Sequence, residues 1–181
     1  MFRPIFNFFF KRYGWHIEGY IPPDLKKYVI AIAPHTSNWD FILTVAVRSI
    51  MRVKSKYLAK RELFRFPMGY FFRLLGGYPV DRSKSGKMVD AVADIFNAKK
   101  EFVIALAPEG TRRKVQQIKT GFYYIAKAAN VPVVLVGLDY SRKTIVISEP
   151  IYSTGEDEKD IEGILDFFRT IKGKHPELGI S

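Results

Sequence analysis

Apolar positions along this chain of 181 residues occur in turn as continuous runs, typical of buried strands, and at the spacing typical of helices. Continuous apolar runs at 28–34 and 102–108 predict buried strands, and shorter runs such as "KYLAK" and "YPVD" predict further ones. Between these runs apolar residues recur at helical spacing, most clearly at 87–100. Strands that alternate with helices indicate an α/β fold with a largely parallel central sheet flanked by helices. The last two strands, at 132–140 and 144–151, predict an antiparallel hairpin near the C-terminus.

The start of the chain has a pattern of its own. Residues 2–13 predict an amphipathic helix whose apolar side chains cover more than one face and are accompanied by basic residues. Such a helix binds a membrane interface, where apolar burial and attraction to anionic lipid add; the alternative is a helix packed on the core. We expect residues 1–27 to form a membrane-associating segment and residues 28–181 to form a single domain. No apolar run reaches the roughly 18–20 residues that cross a bilayer.

The net charge of +11 is unevenly distributed. Residues 1–150 carry 25 basic and 11 acidic side chains, whereas residues 151–181 carry 4 and 7. A basic body indicates an anionic partner, which could be nucleic acid, anionic lipid or a phosphorylated substrate. Nucleic acid is disfavoured because the aromatic residues gather in apolar runs and do not alternate with basic ones as a stacking platform would. The chain has no Cys, which excludes a cysteine nucleophile and a thiolate metal site.

Three polar clusters follow predicted strands. His35 comes after the first buried strand, Asp81 and Arg82 come after "YPV", and the cluster at 109–112 comes after "FVIALAP". Ligands of open α/β sheets bind outside the carboxyl ends of the strands. If these strands are parallel, the three clusters meet at one edge of the sheet, which therefore becomes the candidate site.

The first cluster pairs a histidine with an aspartate five residues later, in the stretch "APHTSNWDF". His35 has a side chain whose ordinary pKa suits a general base at neutral pH, and a carboxylate on the far ring nitrogen would fix its tautomer. Asp40 lies in the first turn of the predicted helix, from where it can turn back toward His35. The alternative is a capped turn in which Asp40 only complements the helix dipole, with Ser37 or Asn38 as the N-cap. The pair alone leaves both interpretations open.

The third cluster, "PEGTR", carries groups suited to an anion. Gly110 lets the backbone approach a ligand closely, Thr111 supplies a hydroxyl, and Arg112 supplies a planar fork that matches phosphate. The alternative is a surface turn with solvated charges.

Four blocks in order give a resemblance to a known family. "HTSNWD" fits H-x-x-x-x-D, "GYPVDR" fits a second block that ends in Arg, "PEGTR" fits a third block E-G-T-R, and "VPVV" fits a fourth block with Pro. The chain therefore resembles the glycerolipid acyltransferases, the family of 1-acyl-glycerol-3-phosphate acyltransferases, over roughly residues 28–140.

The resemblance implies an enzyme that moves a fatty acyl group from a thioester, carried by CoA or acyl carrier protein, to the hydroxyl of a lysophospholipid or glycerol phosphate. His35 would be the general base and Asp40 would orient it. The residues implied to hold the acceptor phosphate or head group are Arg82, Glu109, Gly110, Thr111 and Arg112. The thioester is a co-substrate, and neither a metal nor a cofactor is implied.

The resemblance also implies a peripheral membrane location, on the cytoplasmic face of the inner membrane. The acceptor stays open among lysophosphatidic acid, another lysophospholipid, glycerol-3-phosphate and an amino-acid-containing lipid. A different class of function is a non-catalytic peripheral protein that binds anionic membrane lipid through its basic body and Phe-rich start.

Overall fold

A computed structural model of the chain describes residues 3–74, 76–80, 85–115 and 117–180. The strands are β1 (His16–Glu18), β2 (Lys27–Ala33), β3 (Lys56–Lys60), β4 (Gly77–Val80), β5 (Phe102–Leu106), β6 (Val133–Asp139) and β7 (Thr144–Ile147). The helices are α1 (Arg3–Arg12), α2 (Asn38–Ile50), α3 (Met68–Leu74), α4 (Ser85–Ala98), α5 (Gly121–Ala128) and α6 (Asp157–Arg169). Short 3-10 segments lie at Arg61–Phe64 and Pro176–Leu178.

All seven strands form one sheet in the order β1-β7-β6-β2-β5-β3-β4. The five strands β6, β2, β5, β3 and β4 run parallel. β7 pairs antiparallel with β6, and β1 pairs parallel with β7, so these two strands run against the other five. The predicted α/β fold, with its largely parallel sheet and C-terminal antiparallel hairpin, is confirmed.

The apolar pattern does not predict β1, which has three residues and a single apolar side chain, Ile17. This strand forms because β7 offers the unpaired edge of the sheet, and its backbone groups hydrogen-bond there. Residues 1–27 thus contribute both α1 and an edge strand, while the division of the chain after residue 27 stays a prediction.

The helices form two layers on opposite faces of the sheet. The back layer consists of α4, α5 and α6, whose buried side chains meet one face of β2, β5 and β6; Phe96, Ile125 and Phe168 are among the largest. The front layer contains α1 and α2, which reach the other face through Phe10 and Val47. Right-handed crossovers put α3 on the face that α2 covers, and the Arg48 side chain of α2 lies against the turn that follows α3.

The two layers differ in their outer surfaces. Of the fourteen large hydrophobic side chains that are exposed in the described part of the chain, eleven lie on or beside the front helices. They are Ile5, Phe8, Phe9 and Tyr13 at α1, Trp39, Phe41 and Ile42 on α2, and Phe66, Met68, Tyr70 and Phe71 at α3. Among the described side chains of the back helices, only Tyr124 belongs to this exposed set. Within the residues described, no helix has the length and apolar character needed to span a bilayer.

Candidate active site

The site is built where three neighbouring parallel strands end. His35 follows β2, Glu109 follows β5 and Tyr140 follows β6, and β2 lies between the other two in the sheet. Parallel pairing brings these strand ends to one edge, so the convergence that the strand-end rule predicts for His35 and Glu109 is found. The second cluster, with Asp81 and Arg82, lies outside the described residues, and its place at this edge stays a prediction.

The loop between β2 and α2 closes as a capping box. Ser37 is the N-cap, and its Oγ accepts a hydrogen bond from Trp39 N at 3.2 Å. Asp40 returns the contact: its Oδ2 accepts hydrogen bonds from Thr36 N and Ser37 N, both at 2.7 Å. A capping box satisfies amide groups that the start of a helix leaves unpaired, which explains why the helix begins here. The predicted capped turn is therefore present, and Ser37 is its N-cap.

Asp40 does more than cap the helix. Its side chain is 0% exposed, its Oδ2 lies 3.5 Å from His35 Nδ1, and its Oδ1 accepts a hydrogen bond of 2.7 Å from the Tyr140 hydroxyl. The carboxylate is thus held on both oxygens, beside one ring nitrogen of the histidine. A fixed carboxylate in that position favours the tautomer with a proton on Nδ1, which leaves Nε2 able to accept one. The same carboxylate therefore caps α2 and lies beside the His35 ring.

His35 has the electrostatics of a base that stays neutral. Its pKa is lowered, first because burial disfavours the imidazolium. The charge of Asp40 raises the pKa and that of Arg112 lowers it. The ring is 22% exposed, so a ligand can reach it. A neutral, accessible imidazole is the form that can take a proton from a hydroxyl group.

Glu109 supports the histidine through the backbone. His35 N donates a hydrogen bond of 2.6 Å to Glu109 Oε2. The residue is 3% exposed, and burial raises its pKa to about 7, against the lowering effect of the bond from His35. Its other oxygen, Oε1, is buried and has no hydrogen-bond partner among the described residues. Glu109 is therefore partly protonated near neutral pH, with one carboxyl oxygen unused by the fold.

The rest of the third cluster forms a turn beside Glu109. Gly110 has a φ of +63°, and a Cβ there would lie 2.9 Å from Lys119 Nζ, so the position suits glycine. Thr111 Oγ1 accepts a hydrogen bond from Arg113 N at 3.3 Å. Arg112 is near enough to lower the pKa of His35 by its charge. In the described part of the chain, no three or more His, Asp or Glu side chains gather as ligands for a metal ion.

An apolar cavity of about 300 Å³ opens beside His35, between α2 and the sheet. Its walls come from the apolar front face of the sheet and from the inner side of α2, including Thr44, Val45 and Val47. Asp40, Thr44 and Arg48 form the polar stripe of α2, and this stripe faces inward, Asp40 to His35 and the other two to the cavity. The outward side of the same helix carries Trp39, Phe41 and Ile42, so α2 is more apolar outside than a helix in water would be.

The C-terminal segment after α6 packs on the loop between β2 and α2, a contact that the sequence pattern does not predict. His175 N donates a hydrogen bond of 3.2 Å to Thr36 Oγ1, and Tyr140 N donates one of 2.9 Å to the carbonyl oxygen of Lys172. A Cβ at Gly173 would lie 2.8 Å from Pro34 Cγ, so glycine permits this close approach. Tyr140 is also missed by sequence reasoning, although its place directly after a buried strand is the same signal that identifies His35.

Fold and site together define an α/β protein with a histidine–aspartate pair at the carboxyl edge of its sheet and an apolar cavity beside the histidine. Residues 13–139 match the Acyltransferase family, and the chain belongs to that family.

Two relatives are informative. The chain is 31% identical over 119 residues to the 1-acyl-sn-glycerol-3-phosphate acyltransferase of Saccharomyces cerevisiae, an alignment that covers 61% of this chain and 38% of the yeast protein. The chain thus spans about two fifths of the length of that relative. The crystal structure of the 1-acyl-sn-glycerophosphate (LPA) acyltransferase PlsC from Thermotoga maritima matches with a TM-score of 0.57 at 23% identity, over 89% of this chain and 75% of that one. This likeness shows that the two proteins share a fold.

Proposed function

We propose that the chain is an acyltransferase that moves a fatty acyl group from a thioester to a hydroxyl of a lysophospholipid or glycerol phosphate. The observation that carries the proposal is the place of His35: it lines an apolar cavity and lies beside a fully buried carboxylate. A base at the mouth of an apolar cavity suits a reaction between a hydroxyl and an acyl chain. Membership of the Acyltransferase family and the yeast relative agree with it.

The reaction needs one proton relay. His35 Nε2 takes the proton of the acceptor hydroxyl, and the oxygen attacks the thioester carbonyl to form a tetrahedral intermediate. The C–S bond then breaks, and the thiolate leaves with the proton from His35, which restores the neutral base. Asp40 stabilises the imidazolium while it exists. The products are the acylated lipid and free CoA or acyl carrier protein.

The third cluster would hold the acceptor. Arg112, with Arg82 of the second cluster, supplies positive charge for a phosphate or head group, and the turn at Gly110 exposes backbone to the ligand. Glu109 would bind through Oε1, the oxygen that the fold leaves unused. Because the raised pKa of Glu109 keeps part of its population neutral near pH 7, the carboxyl group can donate a hydrogen bond there and does not simply repel an anion.

The front layer would dock on the membrane. Its exposed aromatic and aliphatic side chains form the large apolar surface of the molecule's described part, and Lys11 and Arg12 add positive charge at the end of α1. An amphipathic face with basic neighbours is the signature of an interfacial protein. Docked in this way, the cavity beneath α2 would lie next to the acyl chains of the bilayer. The location that we propose is the cytoplasmic face of the inner membrane.

Thiol release tests the proposal. Purified protein is mixed with vesicles, an acyl-thioester and one lysolipid at a time. Free thiol is measured, and the lipid product is identified by mass spectrometry. His35→Ala should lower turnover at least 10²-fold, the scale of a positioned general base. His175→Ala is the matched control, since its side chain contacts Glu177 and only its backbone touches the catalytic loop.

Two results would overturn the proposal. Full activity in His35→Ala would exclude the histidine mechanism. Vesicle binding without thiol release from acyl-CoA or acyl carrier protein, with any of the four acceptor classes, would favour the non-catalytic lipid-binding protein.

A further inference from the structure

We propose that Tyr140 is a positioning residue for the catalytic carboxylate of Asp40, and that Trp15 holds Tyr140 in place, so that the membrane-facing N-terminal segment supports the active site. The inference rests on the proposed function and adds to it two residues outside the sequence blocks that the family resemblance uses. It also gives the N-terminal segment a role in catalysis besides membrane attachment.

The first step concerns the oxygen that faces away from the loop. Asp40 Oδ2 is occupied by the amide groups of Thr36 and Ser37 and lies beside His35. The Tyr140 hydroxyl is the donor to the other oxygen, Oδ1. Because Asp40 is fully buried, removal of this donor leaves a charged oxygen without its partner and lets the carboxylate rotate about its last bond. Tyr140 therefore determines how firmly the carboxylate faces the imidazole.

The second step concerns the ring of Tyr140. Trp15 packs its indole edge-to-face on this ring, with centroids 5.0 Å apart at 90°. On the other side, the backbone N of Tyr140 is tied to the carbonyl oxygen of Lys172. The hydroxyl also keeps its proton, because burial, followed by the hydrogen bond and charge of Asp40, raises the pKa of Tyr140 above its ordinary value. The tyrosine is thus a fixed donor in a fixed direction.

The third step connects Trp15 to the membrane-facing helix. The Phe10 ring of α1 lies 6.1 Å from the Trp15 ring, and Phe10 is buried in the front core. The neighbouring side chains Phe8 and Phe9 of the same helix are exposed. A continuous series of contacts therefore runs from α1 through Trp15 and Tyr140 to Asp40. If this series of contacts affects catalysis, a substitution at Trp15 should change the activity of His35 only through the Tyr140 hydroxyl.

Tyr140→Phe tests the first contact, because it removes the hydroxyl and keeps the ring. We expect kcat to fall roughly tenfold to a hundredfold, the scale of one buried hydrogen bond to a charge, with KM unchanged because Tyr140 does not line the cavity. The acid limb of the pH profile of kcat/KM should move to higher pH. Among the described residues, the charges of Asp40 and Arg112 act on His35, and Glu109 is the other titratable group beside it, through the bond from His35 N. The charge of Asp40, no longer shared with a hydroxyl, would stabilise the imidazolium more strongly. Tyr124→Phe, on the outer side of α5, is the matched control.

A double-mutant cycle tests the second contact. Trp15→Leu should lower kcat by itself, Trp15→Phe should restore most of the loss, and Trp15→Leu should have no further effect in the Tyr140→Phe background. Melting temperatures of all variants show whether a loss is structural. Additive losses in the cycle, or a loss of kcat that follows the melting temperature, would overturn the role of Trp15. Unchanged kcat and pH profile in Tyr140→Phe, in a protein that His35→Ala inactivates, would overturn the role of Tyr140; the proposed function would then still stand.

Discussion

The front and back layers cover the same sheet, yet they differ in where their large apolar side chains lie. The back helices turn their large apolar residues inward, and their outer surface carries charged networks such as Arg169 with Glu162 and Asp166. The front helices expose Phe, Tyr, Trp, Ile and Met, and α2 turns its polar stripe inward, Asp40 toward His35 and Thr44 and Arg48 toward the cavity. Water on one side and lipid on the other would account for the difference, because an apolar outer surface is favourable only against an apolar neighbour.

The comparison teaches how one element can serve both fold and chemistry. Asp40, in the first turn of α2, lies 3.5 Å from His35, and the next polar positions of the helix, Thr44 and Arg48, line the cavity. The apolar outer side of α2 faces the proposed membrane. In a helix of a water-soluble layer the same stripe would face outward. An inward-facing polar stripe beneath an apolar outer side is therefore what the proposed docking on a membrane would require.

The largest expected effect is on stability and concerns the two apolar surfaces. Phe96→Ala in the back layer removes a ring that is 0% exposed, and we expect the free energy of unfolding to fall by about 3–5 kcal/mol. Phe9→Ala in the front layer removes a half-exposed ring and should change it by less than about 1 kcal/mol. Urea denaturation in the absence of lipid measures both. Equal losses of unfolding free energy would mean that Phe9 belongs to the folded core as Phe96 does. The proposed difference between the two layers would then be wrong.

A second effect concerns Glu109, at the sheet edge between the layers. Its pKa is about 7 in the fold and 4.5 ordinarily, so the folded state keeps a proton that the unfolded state has lost. Stability from this group is full below about pH 4.5 and is lost as the pH rises through 7, a change of about 3 kcal/mol. Glu109→Gln should remove this decline, so the variant should gain stability relative to the natural chain between pH 5 and pH 8.

The measurement is the free energy of unfolding of both proteins at a series of pH values. His35, whose lowered pKa acts in the opposite direction as the pH falls, is present in both and cancels in the difference. A constant difference from pH 5 to pH 8 would show that Glu109 is ionised throughout, as an exposed glutamate would be.

A third effect concerns membrane binding and compares the outer surfaces directly. Phe8 and Phe9 are 63% and 50% exposed on α1. Changing both to Ser should weaken partition into vesicles roughly 30- to 100-fold, since insertion of the remaining area of two rings is worth about 2–3 kcal/mol. Tyr124→Ser on the back layer should change partition less than about twofold. Sedimentation with vesicles measures the partition of the natural chain and of both variants. Equal effects of the two changes would contradict an orientation in which the front layer faces the membrane.

Much of the fold could be predicted from apolar spacing. The buried strands β2, β5 and β6 and the helix α4 were all indicated, because long runs with a single period leave few alternatives. β1 could not be predicted, since its three residues take their structure from the edge of β7 and from no pattern of their own. Nor does the sequence show which side of α2 faces inward, because that depends on what surrounds the layer.

The candidate site was predictable to the extent that it follows strand ends. His35 and Glu109 were found in this way, and the structure brings them within one hydrogen bond. The His35–Asp40 pair alone left the role of Asp40 undecided between cap and acid, since both need the same position on the first turn, and only the family resemblance predicted the acid. Tyr140 lies 100 positions from Asp40 and becomes its partner only through the pairing of β6 with β2. Contacts of that range come from sheet order, which a local pattern does not contain.

The smallest expected effect separates charge from apolar insertion at the front layer. Lys11 lies in the last turn of α1, and Lys159 is an exposed lysine in the first turn of α6 of the back layer, where it is ion-paired with Glu156. A basic residue near an anionic bilayer is worth about 1 kcal/mol, so Lys11→Glu should weaken binding to vesicles rich in phosphatidylglycerol roughly five- to tenfold at 0.1 M salt. Lys159→Glu should weaken it much less, although both variants have the same net charge.

The difference between the two variants should vanish at 1 M salt, where the screening length falls to about 3 Å, and on vesicles of phosphatidylcholine alone. Equal losses for the two lysines would mean that the basic charge of the whole protein attracts it to the anionic vesicle in any orientation. Only the apolar side chains would then determine that the front layer faces the membrane.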